Sequence, residues 1–188
     1  MSHIECSTQD GISNLEISIF SPLAEKEVFF MKILVGYYSR TGNTKKMAEA
    51  IAKGIKKEGI EVDLLDVNKI KPDDLLNYEA LIFGSPTYYG VMAAELKKLL
   101  DESVAYHGKL SGKIGGAFTS AGGIGGGAET TILSILEAFL IHGMIVIGES
   151  GIFHYGPVSI GSPDEKVLES CTKYGIKIAQ LMKKICSE

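Results

Sequence analysis

Residues 39–44 read Ser39-Arg40-Thr41-Gly42-Asn43-Thr44, and they join an apolar run, Lys32 to Tyr38, to a stretch in which Met47, Ile51 and Ile55 recur at helical spacing. The short β-branched run suits a buried strand, and the periodic stretch suits an amphipathic helix that starts near Lys45. A loop of three hydroxyls and one glycine at such a junction gathers backbone N–H groups at a helix N-terminus. Unpaired donors and the helix dipole both attract an anion there. A phosphate is the natural occupant. Other phosphate loops of α/β chains do not fit: a G-x-G-x-x-G fingerprint needs more glycines than Gly36 and Gly42, and a Walker loop needs Gly-Lys-Ser/Thr where Gly42-Asn43-Thr44 stands. A receiver-type domain would end its third strand on an aspartate, and Gly84-Ser85 occupies that place.

Downstream, the same alternation continues. Strands are expected at Lys32 to Tyr38, Glu61 to Asp66, Ala80 to Gly84, Ile114 to Thr119 and Met144 to Gly148. Between them, apolar residues at spacings of three and four mark helices through Leu96, Leu99 and Leu100, then through Ile132, Leu133, Leu136 and Leu140. A final helix carries Val167, Cys171, Tyr174, Ile178 and Leu181, with Ser162 as its cap ahead of Pro163. Strands alternating with helices require parallel crossovers, so the fold class is α/β, a doubly wound five-stranded parallel sheet with helices on both faces. Such sheets bind ligands beyond the carboxyl ends of their strands.

The 188 residues suit one domain, and a net charge of −4 gives no basic footprint for nucleic acid or an anionic membrane. The longest apolar runs fall short of the roughly 20 residues of a membrane helix. Three cysteines, Cys6, Cys171 and Cys186, show no C-x-x-C spacing, so neither a disulfide framework nor a metal site is expected, and the compartment expected is the cytoplasm. Residues 1–30 lack a secretory signal and stand outside the strand–helix rhythm. They read either as an upstream-start remnant or as an ordered extension, with an alternating stretch from Leu15 to Phe20, packed on a domain spanning 31–188.

The pattern Ser/Thr-x-Thr-Gly-x-Thr after the first strand resembles the phosphate loop of the flavodoxin family. Two further loops, Gly84-Ser85-Pro86-Thr87-Tyr88-Tyr89-Gly90 and Phe118-Thr119-Ser120 through to Glu129-Thr130-Thr131, are similar to those of the Trp-repressor-binding-protein-like FMN-dependent NAD(P)H:quinone oxidoreductases. The resemblance spans roughly residues 32–186. It implies FMN as cofactor, with Ser39, Thr41, Gly42, Asn43 and Thr44 around its phosphate and Arg40 at the rim. It also implies a ring held between Pro86, Thr87, Tyr88, Tyr89 and Gly90 on one side and Thr119, Ser120, Ala121, Gly122 and Gly123 on the other. His154, after the fifth strand, would approach from the late loop. Tyrosines offer an aromatic face, and glycines let backbone donors come close.

The departures bear on function. Gly125 stands where the quinone reductases carry a histidine, and Tyr88 and Val91 stand where they often carry arginine and asparagine. No protein group is therefore expected to be catalytic, because the flavin carries the chemistry. The expected role is an FMN-binding redox protein serving a protein partner, NAD(P)H or a quinone. Quinone reduction is one alternative, and a cofactor-free binding module on the same fold, which would tolerate a degraded phosphate loop, is another. A homo-oligomer is compatible with the resemblance. His142 reads as structural, and His107 has no evident partner.

Overall fold

The computed structural model describes residues 31–186, so the expected extension at 1–30 lies outside the described residues. The strands β1 (Lys32–Tyr37), β2 (Glu61–Asp66), β3 (Ala80–Pro86), β4 (Ile114–Ala121) and β5 (Ile145–Val146) form one parallel sheet in the order β2-β1-β3-β4-β5. The helices α1 (Asn43–Lys57), α2 (Ala94–Glu102), α3 (Ala128–Ile141) and α4 (Glu165–Cys186) cover it on both faces.

Period-two alternation along the strands divides the core. Leu34, Leu81 and Phe83 face α2 and α3, while Ile33, Val35 and Ile82 face α1 and α4. At the β1–β2 edge, Lys32 Nζ lies 2.9 Å from both Glu61 and Asp63, and the Tyr78 hydroxyl donates to Asp63 at 2.6 Å.

The fifth strand position differs from the expectation of Met144 to Gly148. After Ile147, whose N–H still reaches the Gly115 carbonyl at 3.3 Å, the chain leaves the sheet, and it returns as β6 (Val158–Ile160), which pairs parallel with Thr119 to Ala121 of β4. Two segments thus share one strand position: β5 pairs with the start of β4 and β6 with its end. β4 runs past Thr119 because Ser120 also pairs with Pro86 of β3, and the pairing with β6 carries it on to Ala121.

Two smaller expectations also change. Leu140 is 56% exposed rather than part of the core face of α3. The cap of α4 comes from Asp164, whose Oδ1 accepts the Val167 N–H at 2.8 Å, rather than from Ser162. A carboxylate one residue before the helix meets both the capping and the dipole preference.

His142 is structural, as its sequence position suggested. It is buried at the end of α3, with Nε2 2.8 Å from Ser103 Oγ, whose own proton goes to the Leu100 carbonyl at 2.7 Å. Ser103 must therefore accept, so Nε2 carries the hydrogen and Nδ1 is a buried lone pair with no partner. The His107 ring stands 6.0 Å away. Burial, and secondarily His107, push the imidazole below its ordinary value of 6.5. Because the folded state resists a proton that the unfolded state accepts, stability should fall as pH drops below about 6.5 and level off below the folded pKa. Urea midpoints between pH 8 and pH 5 check this, and His142→Gln should show a shallower acid-side decline than the wild type.

Candidate functional site

The first loop turns on Gly42, which adopts φ +90° and delivers the chain into α1 at Asn43, two residues earlier than the periodicity suggested. The Gly42 N–H donates to Ser39 Oγ at 3.1 Å. Beyond that the helix start is bare: no side chain caps it, no carboxylate occupies its first turn, and a Cβ placed on Gly42 would meet nothing within 4 Å. An uncapped helix N-terminus leaves backbone donors and the positive end of the helix dipole open to an anion. Arg40 and Thr41 are exposed at its rim, and Asn43 is half-buried. Thr44 is buried, with its hydroxyl 2.9 Å from Ser120 Oγ, so it fastens the first loop to the end of β4.

The second loop is fastened to the same strand. The Thr87 N–H donates to the Ser120 carbonyl at 2.8 Å, and the Thr87 hydroxyl lies 3.1 Å from that of Thr119, whose proton goes to the Ser85 carbonyl. Ser85 Oγ accepts the Ala93 N–H at 2.8 Å, which draws the entry to α2 against β3. Beyond Pro86 and Thr87 the chain makes a two-residue hairpin, closed by reciprocal hydrogen bonds between Tyr88 and Val91. Its tip residues, Tyr89 (φ +49°) and Gly90 (φ +83°), give the type I′ turn that matches strand twist. Tyr89 is fully exposed, and Thr130 on α3 donates to the Gly90 carbonyl at 2.6 Å.

Positive φ costs a side-chain-bearing residue about 1–2 kcal/mol. Tyr89 accepts that cost without burying its ring against the protein. Tyr89→Gly should therefore stabilise the cofactor-free chain by about 1 kcal/mol, less the extra entropy of glycine. Chemical denaturation measures it, and destabilisation would show that the exposed ring makes contacts that outweigh its strain.

The third loop leaves β4 at Ala121, runs through the exposed Gly122 and Gly123, and enters α3 at a Gly127 with φ +95° and again no capping side chain. These three loops follow β1, β3 and β4, which are adjacent in the sheet, so they meet beyond its carboxyl edge. His154 is placed apart from the first loop. It is exposed in the excursion between β5 and β6 and lines a cleft of about 270 Å³ together with Ile124 and Gly125.

Sequence reasoning missed several groups here. The single proton of the Thr131 hydroxyl lies within reach of both the Thr87 hydroxyl at 3.0 Å and the Gly127 carbonyl at 2.8 Å, and its only sequence signal is a hydroxyl on an otherwise apolar face of α3. Tyr38 hydrogen-bonds to Glu95, which with burial pushes its phenol upward. Among the described residues no group of three or more His, Cys, Asp or Glu side chains could hold a metal, and no helix is long and apolar enough to cross a membrane.

A doubly wound parallel sheet whose first loop offers a bare helix N-terminus, with two interlocked loops beside it, defines a nucleotide-phosphate-binding α/β protein. The sequence profile described as Flavodoxin matches residues 35–130, and the chain belongs to the flavodoxin family. It is 39% identical over 158 residues to a flavodoxin of Aquifex aeolicus, covering 79% of this chain and 85% of that one. It is 34% identical to an NAD(P)H dehydrogenase (quinone) of Archaeoglobus fulgidus, covering 82% and 99% of the two chains. Among solved structures, the flavodoxin, WrbA-like protein of Agrobacterium tumefaciens superposes with a TM-score of 0.71 at 25% identity, covering 82% and 98%. The cofactor is FMN and the function is redox. The residues present fit that group: an uncapped, carboxylate-free helix start receives a phosphate, and the open glycines at 122 and 123 leave backbone room for a flat ring.

Proposed function

We propose that Ser39, Thr41, Gly42, Asn43 and Thr44 hold the FMN phosphate, with Arg40 at the rim. The second loop, Pro86 to Gly90, and the third, Thr119 to Gly123, hold the ring. The observation that carries this reading is the bare start of α1, where neither cap nor carboxylate competes for the anion. FMN supplies one- and two-electron chemistry when bound. The chain's own share is to bind, orient and set the local field. The shared hydrogen bonds of Thr44, Thr87, Thr119 and Thr131 fix the loops relative to β4 before any ligand arrives, which limits the ordering cost of binding.

This reading places residues 31–188 as the FMN unit, working in the cytoplasm, with residues 1–30 as an extension to it. His154 approaches the ring from the late excursion rather than touching the phosphate. The test is direct. Purified protein should be yellow or take up added FMN in one-to-one stoichiometry, and a chain that binds no FMN overturns the assignment.

A second reading, reduction of a quinone by NAD(P)H, is favoured by one observation. The loop tips carry exposed apolar side chains, Tyr89, Ile124 and Ile152, in place of a collar of carboxylates that would steer a basic protein partner. Overall, NAD(P)H, a quinone and one proton from water give NAD(P)⁺ and the hydroquinone. FMN-dependent oxidation of NADH or NADPH on adding a benzoquinone supports it. Flavin-loaded protein that oxidises neither nucleotide is a carrier for a protein partner instead.

A further inference from the structure

One edge of the sheet is left open by the described residues. β2 pairs with β1 alone, in an unbroken one-to-one register from Glu61 to Asp66, so every second residue of β2 turns its N–H and C=O away from the sheet. Among the described residues no group outside β1 is hydrogen-bonded to the main chain of β2. Open edges are commonly blunted by a lysine, a proline or a bulge, and Glu61 to Asp66 contains none of the three. The flank of this edge is unfinished too. Val62 and Leu64 turn to the α1 side and stay half-buried. Beside Leu64 a cleft of about 560 Å³ runs along the later half of α1, lined by Ala52, Lys53, Lys56 and Lys57. The three lysines are exposed, and none pairs with a carboxylate among the described residues.

Charge, pattern and reach name the occupant. Residues 1–30 carry five carboxylates against one lysine, which is the whole of the chain's net charge of −4. Within them Leu15-Glu16-Ile17-Ser18-Ile19-Phe20 alternates over six residues, the length of β2, and Ser21-Pro22 supplies a turn after it. Strands lie about 4.8 Å apart, so one added outside β2 stands about 10 Å from β1. Residues 21–30 join Phe20 to Met31 at the start of β1, and ten residues span up to roughly 33 Å. We infer that Leu15 to Phe20 add a sixth strand position to the sheet, antiparallel to β2, and close the cleft over Leu64. With Phe20 opposite Glu61, the short way back to β1, Ile19 meets Val62 and Ile17 meets Leu64 on the α1 side, while Glu16 turns to the other face. The lysine stems cover the two isoleucines, and Glu25 and Glu27 pass the end of α1 where Lys56 and Lys57 stand. A second copy is the poorer occupant, because antiparallel pairing of two β2 edges sets Glu61 against Asp66 and brings two sets of the same lysines together.

The experiment uses the ¹⁵N-labelled, FMN-loaded full chain and follows amide hydrogen exchange residue by residue. The N–H groups of β2 that β1 does not bond should exchange about tenfold or more slowly relative to free amides. Ile17→Lys with Ile19→Lys removes the apolar cover and sets like charges against Lys53, Lys56 and Lys57. It should return those amides to the free rate, while amides of β1 and β3 stay within about twofold, which separates loss of pairing from loss of fold. Lys56→Glu with Lys57→Glu, at two exposed positions, should cut the protection by about threefold, the scale of exposed ion pairs. Outward β2 amides that exchange at the free rate in the wild type would mean an open edge and overturn the proposal. Protection that survives Ile17→Lys with Ile19→Lys would mean a different occupant, and protection that rises with protein concentration would assign the edge to a second copy; either result also overturns it.

Discussion

Gly175→Ala is expected to destabilise the folded chain by about 3 kcal/mol, and Gly54→Ala by a similar amount, although alanine in a helix is intrinsically worth about 1 kcal/mol more than glycine. The contact between α1 and α4 decides the sign. A Cβ at Gly175 would lie 2.2 Å from the Ile51 carbonyl oxygen and 3.2 Å from the Ile55 nitrogen, and one at Gly54 would lie 2.1 Å from the Thr172 carbonyl oxygen. These are backbone atoms, which cannot rotate away as a side chain tip can, so the helices must separate. Separation loosens the apolar layer formed by Met47, Ile51, Ile55, Cys171, Tyr174 and Ile178. Urea denaturation of each variant measures the effect. The double variant should lose less than the sum of the singles, because the first methyl already opens the gap that the second needs. A single variant as stable as the wild type would show that the close approach is not required. FMN affinity gives a second readout, since α1 carries the phosphate loop at its other end.

How much of this was legible beforehand follows from what is local. The first loop is legible as a strand-to-helix turn because its hydroxyls, its glycine and the helix it starts are contiguous in sequence, although α1 begins at Asn43 rather than near Lys45. The strand bodies are read correctly because burial on two faces demands unbroken apolar runs, as in Leu81-Ile82-Phe83. The failures are non-local. Val158 to Ile160 is a three-residue strand that exists only because the end of β4 has an open edge, and nothing in its own composition sets it apart from a loop. Leu140 keeps the helical period, but Phe139 beside it takes the buried position in the last turn of α3 and leaves Leu140 56% exposed. The positive φ of Tyr89 has no signal in the residue itself; only the following Gly90 hints at a type I′ turn. The cleft is assembled from α3, the third loop and an excursion some thirty residues later, so its apolar lining could not be recognised before those parts were brought together.

Asn43→Asp is expected to move stability and cofactor binding in opposite directions, and that opposition makes it the sharpest test of the first loop. Asn43 is the first residue of α1, half-buried, at a helix start with no capping side chain and no acidic residue in its first turn. A carboxylate there meets the positive end of the helix dipole and should stabilise the cofactor-free chain by about 0.3–1 kcal/mol. The same carboxylate competes with any anion for the same N–H groups. At an effective dielectric of about 20, a like charge a few ångströms away costs on the order of 3 kcal/mol, roughly a hundredfold in Kd. Riboflavin, which has the ring without the phosphate, provides the internal control. Its affinity should change by less than about threefold, while that of FMN falls by about a hundredfold and partly recovers as the pH is lowered through the range in which the new carboxyl protonates. Fluorescence titration of both ligands against wild type and Asn43→Asp measures each arm. Equal losses for riboflavin and FMN would mean that the substitution disturbs the ring loops rather than an anion site. An unchanged FMN affinity would mean that the phosphate is held elsewhere. Only loss specific to FMN, in a protein made more stable by the substitution, is the signature of an anion seated on the bare start of α1.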